Sequence, residues 1–430
     1  MYFLCKYLAG LLLWLTVSGP AIAQPNQLTA LLKEADGQNP SLKITQEQIE
    51  MASSQIEQVT SLQDPIISIS LLNYPTDSFK TDQTPMTGNE IRLAQMFPFP
   101  GKLETKGRIA EKKSLWFASA YQDARLQIRR QVKDTWYRLL FQRQAIKLTI
   151  RNLKIFEDFI KLTETRYEVG KGLQQNVLTA HLQRSRQLDQ LLVLQQQEEA
   201  TLAELNSLVG RDTDRSLEID SQLKSVSQKF NLNELQEQVV QKRPLFKAYA
   251  ALIDQYKAQR KLAHLDYRPD FTVWAGYRWR DNALVDDGTD FVSAGVSFNL
   301  PVRRKQRAAA VTEADSALQL VFRKLNNFRN QVNLEIHQSL TSLEQTGKLV
   351  ELYQGGIIPQ ANQTFQATLS AYQVDKVDFL DLLNSLMTLY RYEIDYIKAL
   401  SDQQRSMARL EAAAGLEADQ LPEPSTRSKG

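Results

Sequence analysis

Apolar and polar residues alternate with period two in four short stretches of this chain, while most of the remainder follows helical spacings. In "DFTVWAGYRWR", Phe271, Val273, Ala275, Tyr277 and Trp279 fall on one side and Thr272, Gly276, Arg278 and Arg280 on the other, with Trp274 as the exception. "DFVSAGVSFNLP" sets Val292, Ala294, Val296, Phe298 and Leu300 against Ser293, Gly295, Ser297 and Asn299. Ile67, Ile69 and Leu71 against Ser68 and Ser70, and Ile91 and Leu93 against Arg92, repeat the pattern more weakly. Strands are therefore predicted at about 66–73, 90–97, 270–280 and 290–300. Each approaches the roughly 9 to 11 residues that cross an outer membrane. Two hairpins cannot close a barrel, and open strand edges are not tolerated in lipid, so several copies must pool their strands.

From Lys102 to about Val169 no proline occurs, and Gly107 is the single glycine before the turn. At about 1.5 Å per residue this predicts a helix on the order of 100 Å long, more than one globular core requires. Val132, Trp136, Leu139, Ile146, Ile150, Leu153 and Ile160 recur at coiled-coil spacings. Leu140, Phe141, Ile155 and Phe159 widen the stripe, as expected of a helix with neighbours on two sides.

The plan is written twice, at an offset of about 204 residues. Pro40 is answered by Pro244, "RYEVGKGLQQNVLTA" by "AYQVDKVDFLDLLNS", and the ending at Gly210 by the ending at Gly415. A tandem duplication follows, with a first repeat over 24–225 and a second over 226–416. Long helices are predicted at about 102–169 and 172–210, then at about 303–372 and 377–414. The fold class is mainly α with a small β part.

Composition and charge remove alternatives. The first residues, "MYFLCKYLAGLLLWLTVSGPAIAQ", carry a basic Lys6, a short apolar run and an Ala-Ile-Ala cleavage pattern, predicting a signal peptide over 1–23. The one cysteine, Cys5, lies inside it and precedes the apolar run, so neither a disulfide framework nor a lipoprotein anchor is expected. The formal charge of +3 makes no demand for nucleic acid or an acidic partner. His181, His264 and His337 lack the paired spacing of a metal site, and no phosphate loop, serine elbow or HExxH motif appears. No enzymatic activity, metal site or cofactor is expected. The end, 417–430, is polar and proline-containing and is expected to be disordered.

The joints carry the remaining signals. In "MFPFPGK", Pro98 and Pro100 cannot continue a sheet ladder and bias the residues before them away from helix, while Gly101 frees the backbone to turn. Pro301 marks the second joint. The helical turns fall at "YEVGKG" and "YQVDKV", with Gly170 and Lys171 in one and Asp375 and Lys376 in the other. Just beyond, Asp378 and Asp381 stand three apart, near one face of the returning helix. They are either a solvated surface pair or, in a symmetric oligomer, part of an acidic ring that selects cations.

Together the "FPFPGK" joint, the "RYEVGKG…VLTA" and "AYQVDKVDFLDLL" turns, and the "LNSLVG" and "LEAAAG" endings resemble the TolC family of outer-membrane efflux proteins over about residues 26–416. The resemblance implies a homotrimer in the outer membrane of a Gram-negative cell, with a 12-stranded β-barrel above a periplasmic α-barrel. It implies a passive duct completing a tripartite exporter with a periplasmic adaptor and an inner-membrane pump. Adaptor contacts would map to Gly170, Lys171, Asp375 and Lys376, and a pore constriction to Asp381 and Asn384, of which only Asp381 is acidic. The "PFPGK" joint is similar to heavy-metal and multidrug branches served by resistance-nodulation-division pumps. The competing reading is a periplasmic coiled-coil adaptor or scaffold without a channel. Adaptors usually carry one helical hairpin flanked by β-rich domains, and this chain carries two.

Overall fold

The computed structural model describes residues 27–219, 221–283 and 287–416. The expected signal peptide and polar tail lie outside them. In chain order the elements are α1 (Gln27–Gln38), α2 (Pro40–Thr60), β1 (Ile66–Leu72), β2 (Gly88–Phe97), α3 (Lys102–Glu168), α4 (Gln174–Val209), α5 (Leu232–Lys242) and α6 (Pro244–Leu265). The second half continues with β3 (Phe271–Trp279), β4 (Phe291–Phe298), α7 (Arg304–Leu352), α8 (Ile358–Gln373) and α9 (Phe379–Ala414).

One antiparallel sheet has the order β1-β2-β3-β4. Each strand runs into or out of one helix, so α2, α3, α6 and α7 line up beneath the sheet in the same order, each packed on the next. Farther from the sheet α3 changes neighbours and packs against α4 and α9, with α7 and α8 beyond α9. The long helix of the first repeat is thus flanked on both sides along its length, which accounts for its wide apolar stripe.

Two cores sit at mid-height. One gathers Leu31 and Ala35 of α1, Val132, Trp136 and Leu139 of α3, and Leu205 and Val209 of α4. Another joins Val239, Phe246, Val332, Ile336 and Leu410 around α5 and the upper second repeat. A third lies near the helical turns, where Phe156, Phe159, Phe379, Leu382 and Leu386 meet. Fully burying a side chain of this size contributes about 1.5–3 kcal/mol, so the three clusters fix which helix faces which.

The second long helix differs from its expected continuous course over 303–372. A π-helical segment, Tyr353–Ile357, separates α7 from α8. Pro359 lacks the amide hydrogen that would bond the Gly355 carbonyl four residues back, and its ring crowds that carbonyl. Widening the turn to an i→i+5 bond relieves both problems, and Gly355-Gly356 offers little resistance to it.

Candidate functional site

The sheet has a mainly apolar face and a mainly polar one, and the apolar face is bare in the protomer. Ile69, Leu71, Val292 and Val296 are each more than half exposed. At the end nearer the helices Phe97, Phe271 and Phe298 stack across three strands at 5.5 and 6.3 Å, while Tyr277 and Trp279 lie toward the other end. An apolar band with aromatics at both margins is the pattern of a lipid-facing barrel wall. The mainly polar face places Ser68, Arg92, Gly276 and Ser293 in one register row and Ile66, Ala94, Trp274 and Gly295 in the next. Trp274, the exception to the alternation, lies across Gly295, where an added Cβ would meet its ring at 2.7 Å. The Arg92 guanidinium lies over the same ring, 4.1 Å from its centre, and pairs with Glu90 at 2.8 Å. The tryptophan is therefore a cation-backed platform on the polar side.

At the seam, β2 ends at Phe97 and α3 starts at Lys102 after Gly101, whose φ is +90°. Pro98, Phe99 and Pro100 form the link, and Pro301 lies in the matching link between β4 and α7. In the sequence Lys102 reads only as a helix start, and Asp270 carries no local signal. In the structure they tie the repeats together. The buried Lys102 ammonium pairs with Asp270 at 2.9 Å and donates to the Arg268 carbonyl at 3.2 Å. Asp270 also accepts from the Phe99 amide at 2.7 Å. Burial alone would raise the Asp270 carboxyl, but the Phe99 amide and Lys102 outweigh it and hold it below the usual range.

At the far end, Gly170 turns with φ +70° and Asp375 with φ +57°. Lys171 and Lys376 are exposed beside them. Asp378 is the N-cap of α9, its carboxylate accepting from the Asp381 amide at 3.0 Å. Asp381 and Asn384 are exposed on the first two turns of that helix. Asn384 also lines a groove of about 780 Å³ between α4 and α9, with Gln187, Met387 and Arg391 on its sides and Phe141 and Ala145 of α3 among its lining. Arg166, one turn before the first tip and without a local signal in the sequence, pairs with Asp375 of the second. The opposite charges were visible, but nothing in their spacing placed residues 209 apart in contact.

The profile described as "outer membrane efflux protein" matches residues 31–211 and 235–416. "Cobalt-zinc-cadmium resistance protein CzcC" of Cupriavidus metallidurans is 21% identical over 403 residues, covering 91% of both chains. "Pyoverdine export outer membrane protein OpmQ" of Pseudomonas aeruginosa is 23% identical over 289 residues, covering 66% of this chain and 59% of its own length. Among solved structures, the outer membrane protein VceC of Vibrio cholerae superposes with a TM-score of 0.77 at 20% identity, covering 90% of this chain and 96% of VceC. CusC does so with a TM-score of 0.75 at 13% identity, covering 91% and 92%.

Proposed function

The chain belongs to the outer membrane efflux protein family, and from that premise we propose that three copies close head to tail into one continuous conduit. It is an efflux channel of the outer membrane, with the fold of a transport channel, and its family works within tripartite systems that include an adaptor and an inner-membrane pump. The observation that supports closure is that every layer of the protomer is open at both edges. β1 and β4 each have one partner, and the helices beneath them, α2 and α7, are the ends of the helical row. Exposed Ile44 and Met51 on α2 stand one heptad apart, and exposed Leu320 and Leu334 on α7 stand two heptads apart. Unlike edges that complement each other generate a ring, and a ring removes every bare strand edge from lipid.

In this reading the polar sheet face with Arg92 and Trp274 lines the exit. The tips at Gly170, Lys171, Asp375 and Lys376 receive the adaptor. Asp381, with Asn384 one turn farther in, borders the constriction, while Asp378 holds the start of α9 in place. The pump is of resistance-nodulation-division type, a reading supported by the joint sequence, and the cargo is metal ions or organic compounds, a reading supported by relatives named for metal resistance and pyoverdine export.

Ile44 and Leu320 lie at matching depths, each sixteen residues from the sheet-side end of its helix. The variant Ile44→Cys with Leu320→Cys, treated with a short thiol-specific cross-linker in outer-membrane fractions, should yield covalent dimers and trimers. Each single-cysteine variant should stay monomeric on the same gel. Monomer alone from the double variant would contradict the ring.

A further inference from the structure

One side chain reaches from the end of the first long helix into the second repeat. Arg166 has 17% of its side chain exposed. Its Nη2 donates to the carbonyls of Tyr372 at 2.8 Å and Gln373 at 3.2 Å, and its Nη1 pairs with the Asp375 carboxylate. The guanidinium also lies 4.3 Å from the centre of the Tyr372 ring. Those two carbonyls belong to the last turn of α8, where the i→i+4 donors of the helix run out; the Tyr372 carbonyl also accepts from the Asp375 amide at 3.2 Å. Arg166 therefore caps α8 from another helix and places its positive charge at the negative end of that helix.

The backbone of the second turn fits the same account. Asp375 occupies the left-handed region, where glycine is the easier residue and where the first repeat has Gly170. Its carboxylate is the group that Arg166 binds, so a less comfortable residue stands where a cross-repeat ion pair offsets its strain. Beneath the cation, Tyr372 packs on Phe379 at 6.1 Å, Phe379 on Phe159 at 6.0 Å, and Phe159 on Phe156 at 6.2 Å. This ladder of rings roots the contact in the core near the tips.

We propose that Arg166 is a positioning residue that joins the two helical turns of one protomer into a single docking platform, so that Lys171 and Lys376 face a partner at a fixed separation. The proposal rests on the reading that the turns are the docking end of the conduit.

Amide hydrogen exchange on the purified full-length protein in detergent tests it. The amides of Val374, Asp375 and Lys376 donate to the carbonyls of Ala371, Tyr372 and Ala371 respectively, so they report on the second turn. Arg166→Ala should speed their exchange about tenfold while oligomer mass stays that of the parent. Arg166→Lys keeps the charge but loses the fork that reaches two carbonyls and a carboxylate, and should fall between. Asp375→Gly suits the positive φ and leaves the carbonyl bonds, so it should raise exchange less than Arg166→Ala. Acceleration confined to residues 166–173, or none at 374–376, would overturn the proposal. Should Arg166→Ala fail to assemble, Arg166→Lys decides alone: unchanged exchange at 374–376 overturns the proposal and a rise supports it. Adaptor binding by the parent protein, measured in parallel, tests the docking reading separately, because failure to bind leaves the exchange result standing.

Discussion

The two long helical paths stand at corresponding places in the two halves that one family profile matches, yet they occupy different surroundings. α3 runs unbroken through the middle of the protomer, with α2 and α6 beside it near the sheet and α4 and α9 beside it farther down. The second path lies at the open edge and is broken by the π-helical segment between α7 and α8. Around Thr149–Leu153, the stretch of α3 that matches the break, there is neither glycine nor proline. Position accounts for the difference. A helix fixed on both sides cannot shift its register without disturbing several neighbours, whereas an edge helix can absorb an extra residue. One family profile matches both halves of the chain, and the two rods differ in their contacts, one lying at the centre of the protomer as its spine and the other at its rim.

The contrast is broken most severely in the spine. Trp136 is 2% exposed in the core formed with α1 and α4, and Trp136→Ala should cost about 3–5 kcal/mol through lost burial and the cavity left behind. The rim should respond differently. Leu334 is 55% exposed, and Leu334→Ser should change protomer stability by no more than about 0.5 kcal/mol while lowering the yield of assembled oligomer. Chemical denaturation followed by circular dichroism, alongside detergent-resistant oligomer on gels, separates the two. Equal stability losses would remove the distinction.

A second perturbation addresses the break itself. Deleting Gly355 would remove the residue that the wide turn accommodates and force Pro359 into an α-helical interior, where its ring crowds the carbonyl four residues back and distorts the path to the second tip. Export should be abolished while the sheet end still assembles. Pro359→Ala restores the missing amide hydrogen without changing length and should have a milder effect. Normal export by the deletion variant would show that the rim needs no such adjustment.

Acid should loosen the spine more gently. Asp134 on α3 is bound by Arg405 at 3.0 Å and Arg409 at 3.1 Å of α9. Burial would raise its carboxyl, but the arginines prevail and hold it below 3.8, the ordinary value. Asp36 of α1 is held down in the same way by Arg125 and Arg129 of α3. A depressed carboxylate contributes stability above its unfolded value and loses it as pH falls through the folded one. Thermal stability should therefore be flat from neutrality to about pH 5 and decline below about pH 4. Asp134→Asn should flatten part of that decline, and a slope unchanged by the substitution would remove Asp134 from the account.

Much of this architecture is legible in residue spacing, because alternation and heptads are local and the repeat supplies an internal comparison. Ile67, Ile69 and Leu71 announce a strand face without reference to the rest of the chain. The break near Gly355-Gly356 and Pro359 carried the usual signs of an interrupted helix, but the first repeat offered an uninterrupted template. Lys102 with Asp270 and Arg166 with Asp375 were hidden for another reason. Each pair joins residues from different repeats, and only the folded neighbourhood of α3 brings them together. Asp378 shows another limit, since its spacing from Asp381 left a solvated surface pair and a lumen ring both open, and its role as the N-cap of α9 is visible only in the fold.

The central claim is that copies of this chain form a conduit through the outer membrane. The most direct measurement is the mass of the protein purified from the outer membrane in detergent, together with its conductance in a planar lipid bilayer. The account predicts three chains per particle and discrete, stepwise channel openings. A monomer that leaves the bilayer electrically silent would contradict it.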